Sequence, residues 1–276
     1  MTLAGMYHPI TATPWLHDDT YSEIAPCEAL RPYIRCFWGT KYPLAAVSAA
    51  EPGLVIPDTC MDIIFDVNYT KSSVGGIFCA LDEHSYRSGG GGGTDVTATF
   101  AIRFYAWSAI LFAERDFHGT KNRSFAIDEF FDSLRRELTP MLPDAPTLED
   151  KIRLAEAALL RRLRADRADS NLLNAVYFML KTGGRAKIPE LCGYAGISER
   201  QLERLFSYHM GVSPKAFSSL VRYQLLWQDI IAGRFRALDA VEKFGYFDQA
   251  HMLHDFRRHH LLGIRDAVIF AEKSRT

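Results

Sequence analysis

The feature that most restricts this 276-residue chain is a partial repeat near its end. A short helix-forming segment, Glu190 to Tyr194, stops at Ala195-Gly196-Ile197. Ser198 then opens a second helix, Ser-Glu-Arg-Gln-Leu-Glu-Arg-Leu-Phe206. Fifty residues on, Asp248 matches Ser198, Met252 matches Leu202 and Phe256 matches Phe206, with Gly245 ahead of them as Gly196 is ahead of the first set. Two short helices that meet steeply need a turn of three to four residues. Glycine supplies the left-handed residue such a turn uses, and Ser198 can cap the second helix. Cys192 is small enough for the crossing point. Ile197, Leu202, Leu205 and Phe206 give a buried face, and Glu199, Arg200, Glu203 and Arg204 give an outer one. Taken singly, this segment fits an ordinary helical hairpin as well as a helix-turn-helix. The repeat and the helix between the copies, Ser213 to Ile231 with Pro214 in its first turn, favour the second. Nineteen residues at ~1.5 Å each span ~28 Å, near the ~34 Å between successive major-groove faces of DNA.

Several fixed spacings then agree at once. Ile197 to Phe206, Gly211-Val-Ser-Pro-Lys-Ala-Phe217, Arg222, Gly245-Tyr-Phe-Asp-Gln-Ala-His251 and Phe256 resemble the AraC/XylS family of transcription regulators over about residues 170–270. The resemblance implies two recognition helices in adjacent major-groove segments of double-stranded DNA. By position it implies base contacts from Arg200, Glu203 and Arg204, and from Gln249, Ala250, Leu253 and His254. The resemblance also implies that Ser198, Gln201 and His251 belong to the same DNA-binding surface. Arginine suits guanine, Gln249 suits adenine, and Ala250 and Leu253 offer apolar contact to a thymine methyl. The second unit departs from the family pattern in two places. Ala240-Val241-Glu242 sets a valine at the helix crossing, and His259-His-Leu-Leu-Gly-Ile-Arg-Asp266 replaces a Gly-x-x-Pro ending.

The first half reads differently. Leu54 to Val67, Val74 to Phe78 and Asp95 to Phe104 carry strand patterns broken by Gly, Pro and Asp. Ala29 to Trp38, Ile56 to Phe65 and Ala101 to Phe104 look like the cupin-like sensor domain that precedes some AraC-type domains. The expected fold class is therefore α+β. A small β-barrel with flanking helices, residues 1–168, precedes an all-α double helix-turn-helix domain, residues 169–276. The sensor likeness implies a small-molecule ligand, a dimer, or both. Trp38, Phe65, Phe78, Phe104 and Trp107 are aromatic candidates for a pocket, with Arg103 as an anchor for an acid group. The expected effector is thus small and apolar or acidic, and the competing reading is that these side chains fill a core. Ser88 precedes five glycines, Gly89 to Gly93, which read as a hairpin tip, since no helix and no Lys-Ser/Thr pair follow them. Helical periodicity begins near residue 107 and continues through Ile127 to Leu138. Thr147 caps a helix over about 148–165, whose stripe Leu148, Ile152, Ala155, Leu159 and Leu163 offers a homodimer seam.

Charge and cysteine content limit the alternatives. Residues 181–276 carry 15 Lys and Arg against 10 Asp and Glu, while residues 1–180 carry 17 against 23. A basic C-terminal part suits a nucleic-acid partner. The five cysteines are scattered without a C-x-x-C pair, which argues against disulfides and structural zinc. His8, His17, His84 and His118 are too far apart for a catalytic cupin metal site, and His251 with His254 lacks a third ligand. No metal, cofactor or enzymatic activity is expected. No apolar run approaches the ~20 residues needed to cross a bilayer, and no signal peptide opens the chain. A cytoplasmic protein without membrane contact is expected. The rival reading is a ligand-binding or enzymatic barrel whose C-terminal helices form a degenerate interaction module.

Overall fold

The computed structural model describes residues 3–45, 53–88 and 94–275. The five-glycine run lies outside them. Strand formation follows from alternation. In Cys60–Asn68 the side chains of Met61, Ile63, Phe65 and Val67 are fully buried on one face, while Asp62, Ile64 and Asp66 occupy the other. Numbering in chain order, the strands are β1 (Ser22–Ile24), β2 (Ile34–Gly39), β3 (Leu44–Ala45), β4 (Leu54–Val55), β5 (Cys60–Asn68), β6 (Ser73–Cys79), β7 (Tyr86–Arg87), β8 (Val96–Tyr105) and β9 (Ser124–Ala126). Seven of them form one antiparallel sheet in the order β1-β2-β8-β5-β6-β9, with β3 also on β8; β4 and β7 pair separately. The register sets Phe65 opposite Phe100, and Phe37, Phe100 and Phe65 stack at 6.1 and 6.2 Å.

The sheet is not the closed barrel that the sequence suggested. Its end strands β1 and β9 do not pair with each other. One face is instead closed by helix α1 (Asp128–Leu138) and the chain before it. Phe78 sits within 5.0 to 5.5 Å of Phe130, Phe131 and Phe117. Helix α2 (Leu148–Arg162) begins at a capping box between Thr147 and Asp150. Its stripe Leu148, Ile152, Ala155 and Leu159 is buried in the chain's own core. The dimer seam proposed for it is therefore already occupied. An apolar stripe in sequence does not say whether it meets its own sheet or a second copy.

After a 3-10 turn at Ala165–Arg167 the chain is helical: α3 (Ser170–Lys181), α4 (Ile188–Ala195), α5 (Glu199–Met210), α6 (Pro214–Ile231), α7 (Ala237–Phe244), α8 (Gln249–His260) and α9 (Ile264–Glu272). Asp169 caps α3, its carboxylate accepting from the N–H groups of Asn171 and Leu172. Packing continues across this point, and Trp107 meets Phe217 edge-on at 6.3 Å. A second cluster joins Ala12, Leu54 and Ile56 to Trp227, Phe244, Phe256 and Ala271. The altered ending of the second unit shows in the backbone. Leu261, 56 % exposed, takes the left-handed conformation at the end of α8, φ 69°, at a cost of about 1–2 kcal/mol for a side chain with a Cβ.

Candidate nucleic-acid interface

The two helix pairs α4–α5 and α7–α8 share one local build. Gly196 ends α4 at φ 69°, ψ 31°, and Gly245 ends α7 at φ 65°, ψ 37°. Val241 at the second crossing leaves this turn conformation unchanged. Ser198 caps α5, its hydroxyl accepting from the Gln201 N–H while the Gln201 side-chain oxygen accepts from the Ser198 N–H at 3.0 Å. Asp248 caps α8, its carboxylate accepting from the His251 N–H at 2.7 Å. Leu202 and Phe206 on α5, and Met252 and Phe256 on α8, are fully buried. The outward positions are exposed: Arg200, Glu203 and Arg204 on the first helix, and Gln249, Ala250, Leu253 and His254 on the second. Each recognition helix is thus anchored by its buried face and leaves its predicted base-contacting side free. Ser198 and Gln201 spend side-chain atoms on the cap, and the Nδ1 of His251 accepts from the Phe247 N–H at 3.3 Å.

Helix α6 joins the pairs. At ~1.5 Å per residue its eighteen residues span ~27 Å. Arg222 on α6 pairs with Asp255 of α8 at 3.3 Å and lies 4.7 Å from the Tyr246 ring, and the Tyr246 hydroxyl donates to Asp255 at 3.1 Å. A groove of about 750 Å³ runs between the two units, with Arg185, Lys187, Lys215, Arg222 and Arg258 along it. Sequence reasoning passed over Arg185, Lys187, Lys215 and Arg258, because isolated basic residues in loops and at helix ends carry no pattern of their own.

The N-terminal part grips both recognition helices at their far ends. The Phe117 N–H donates to the Tyr208 carbonyl at 2.9 Å, and His118 Nδ1 lies 2.6 Å from Ser207 Oγ, both on α5. On α8, the Glu83 carbonyl accepts from His259 Nδ1 at 2.8 Å, and Ser85 donates to the His259 carbonyl. His259 and His260 are fully buried, and burial lowers the pKa of both, His260 to about 3. His260 is therefore neutral at physiological pH. The segment near residue 10 clasps α6: the Gln224 amide accepts from the Ile10 N–H at 2.9 Å and donates to the Ile10 and Pro57 carbonyls, and the Trp227 N–H donates to the Thr11 carbonyl at 3.0 Å.

The predicted effector residues are not brought together as one set. Phe65, Phe78 and Phe104 lie on the face filled by α1 and are fully buried. Trp38 and Arg103 lie on the opposite face. There Asp62 accepts from the Trp38 N–H at 2.8 Å and from Arg103 at 2.9 Å, with Asp58 at 3.9 Å from the same guanidinium. Burial raises the Asp58 pKa, with Arg103 opposing and Asp62 reinforcing the shift. Arg103 is thus already neutralised from within. Trp107, stacked on Tyr105 at 4.7 Å, lines a half-open apolar pocket of about 220 Å³ with Tyr33, Leu111, Ala168 and Leu173. The five cysteines are free, and Cys36, Cys60 and Cys79 are buried. No helix among the described residues is long and apolar enough to cross a membrane.

Comparison with known families decides what the repeated build is. Residues 191–263, from within α4 to the end of the second unit, match the family model described as a helix-turn-helix domain. This is an AraC-type helix-turn-helix domain. The chain that carries it is a DNA-binding transcription regulator with a further, N-terminal domain. Residues 22–126, which hold the sheet, match a model described as a domain of unknown function. No curated protein sequence matches the chain. Solved structures similar to most of the chain include ToxT from Vibrio cholerae. Its apo form has 10 % identity and a TM-score of 0.41 over 85 % of this chain and 97 % of that one. Its unsaturated-fatty-acid-bound form has 9 % identity and a TM-score of 0.39 over 85 % and 95 %. The AraC-type domain accounts for the basic C-terminal part and for the two exposed helix faces.

Proposed function

We propose that this regulator reads a bipartite DNA site through Arg200, Glu203 and Arg204 of α5 and Gln249, Ala250, Leu253 and His254 of α8. The N-terminal domain, divided from the DNA-binding domain near residues 168 and 169, holds the two heads at a fixed setting. The observation that carries this reading is the pair of capped, outward-facing helices on one rod, each clamped at its C-terminal end. Arg185, Lys187, Lys215 and Arg258 supply phosphate contacts between the heads. The protein acts in the cytoplasm, without membrane contact. A dimer would use a surface other than the buried stripe of α2, such as the opposite side, where Leu160 is exposed. The half-open pocket beside Trp107 supports a small apolar effector entering where the two domains meet; docking there would change tryptophan emission in the native chain and not in Trp107→Phe.

The DNA reading is tested by titrating a duplex with the full chain at rising salt. Each neutralised phosphate contributes a slope of about −0.9 to log K against log salt. Four such contacts predict a slope near −3.6, on the order of a hundredfold loss of affinity between 50 and 200 mM salt. Binding that does not change with salt would contradict the proposal.

A further inference from the structure

The two turns differ in length. From the left-handed glycine to the cap is two steps in the first unit, Gly196 to Ser198, and three in the second, Gly245 to Asp248. The two glycines have nearly the same backbone angles, so the chain leaves each turn in the same direction. Tyr246, the residue after Gly245, is buried as the partly buried Ile197 follows Gly196. The additional residue, Phe247, is turned outward. It is 90 % exposed, the most exposed of the large apolar residues among the described residues. No side chain among the described residues covers it.

Phe247 is also not isolated. Ala250 is exposed three residues on, and Leu253, 42 % exposed, follows at the same interval. Arg257 continues this line, with His254 and Arg258 beside it, all exposed. The nearest acid, Asp248, caps α8 with its carboxylate on the His251 N–H, and Asp255 is turned inward to Arg222 and Tyr246. The start of α8 thus carries an apolar stripe that gives way to cations. A major groove offers the matching sequence of surfaces, since thymine C5-methyl groups project into it and phosphates form its walls. Charge complementarity and continuity with the recognition face select DNA as the occupant.

We infer that Phe247 is a specificity-determining residue of the second head, and that Phe247, Ala250 and Leu253 together read thymine methyl groups in the second half-site. The inference rests on the DNA reading above and names the chemistry of one half of that interface. It also accounts for how a head with one amide, Gln249, and no outward arginine in its first two turns can discriminate bases.

The test uses the full chain and a duplex site selected from pooled fragments. Each thymine of the second half-site is replaced in turn by deoxyuridine, which removes only the methyl group. The native protein should lose about fourfold in affinity at one or two of these positions, the worth of one buried methyl-sized group. Phe247→Ser, harmless to folding because the ring is exposed, should bind the thymine site about tenfold more weakly and discriminate less between thymine and uracil. Phe247→Leu should restore part of both. Tight binding by the native protein with no thymine–uracil difference, and equal binding by Phe247→Ser, would overturn the inference while leaving the DNA role intact. A native protein that selects no duplex at all would instead remove the DNA reading itself. A change of oligomeric state in Phe247→Ser, seen by sedimentation, with unchanged DNA affinity would assign the ring to contact with a second copy and also overturn it.

Discussion

Gly211→Ala should destabilise the protein by roughly 2–5 kcal/mol, of which about 1–3 kcal/mol should come from the seam between the two domains. Gly211 ends α5 at φ 72°. A Cβ there would stand 2.4 Å from Thr120 Oγ1 and 2.6 Å from the Phe117 carbonyl oxygen. The left-handed conformation costs about 1–2 kcal/mol once a Cβ is present, and overpacking adds about 1–3 kcal/mol. Gly196→Ala is the matched control. It has φ 69° but nothing within 4 Å of the added Cβ, so only the backbone cost of about 1–2 kcal/mol should appear. Chemical denaturation of both variants isolates the difference. If the two lose equal stability, the loop at residues 117–120 is not seated on α5 in solution, and the clamp on the first head is absent.

Arg204→Ala should behave in the opposite way, with little change in stability and a large change in binding. The Arg204 side chain is exposed and makes no ion pair or hydrogen bond with the described residues, in contrast to Arg222. Removing it should therefore shift stability by less than about 0.5 kcal/mol. At the cognate site, losing a bidentate arginine–guanine contact costs about 1–3 kcal/mol and relaxes preference at that base pair. A gel-shift series over single-base variants of the site measures both effects. Unchanged affinity with unchanged base preference would remove Arg204 from the interface.

The DNA-binding half was legible because its determinants are local. A left-handed glycine, a capping side chain and a buried face at helical spacing all lie within a dozen residues, as Gly196, Ser198 and Leu202 show. The strands around Met61 to Val67 were legible for the same reason, since their alternation is written along the chain. What failed was long-range. The pattern of Leu148 to Leu159 fixes an apolar stripe but not its partner, which proved to be the chain's own core. Strand β9 is three residues long and lies where helical periodicity had been expected to continue. Whether a sheet closes depends on its end strands meeting, which no single strand encodes. Phe78 and Phe104 are equally aromatic as core or as pocket, and the choice is made by Phe117, Phe130 and Phe131 arriving from elsewhere. The docking of the two domains was invisible because it runs through backbone carbonyls of Ile10, Thr11 and Glu83 and the side chains of Gln224, Trp227 and His259. Phe247 was missed although a signal existed, the one-residue difference between the Gly196–Ser198 and Gly245–Asp248 spacings.

The central claim is that one rigid chain presents two heads to one duplex. Incubating the purified chain with sheared genomic fragments and sequencing those retained tests it most directly. The predicted result is enrichment of a single motif with two conserved blocks centred about one helical turn apart, ~10–10.5 base pairs, and a guanine preference in the first block that Arg204→Ala loses. Retained fragments indistinguishable in sequence from the input would contradict the account.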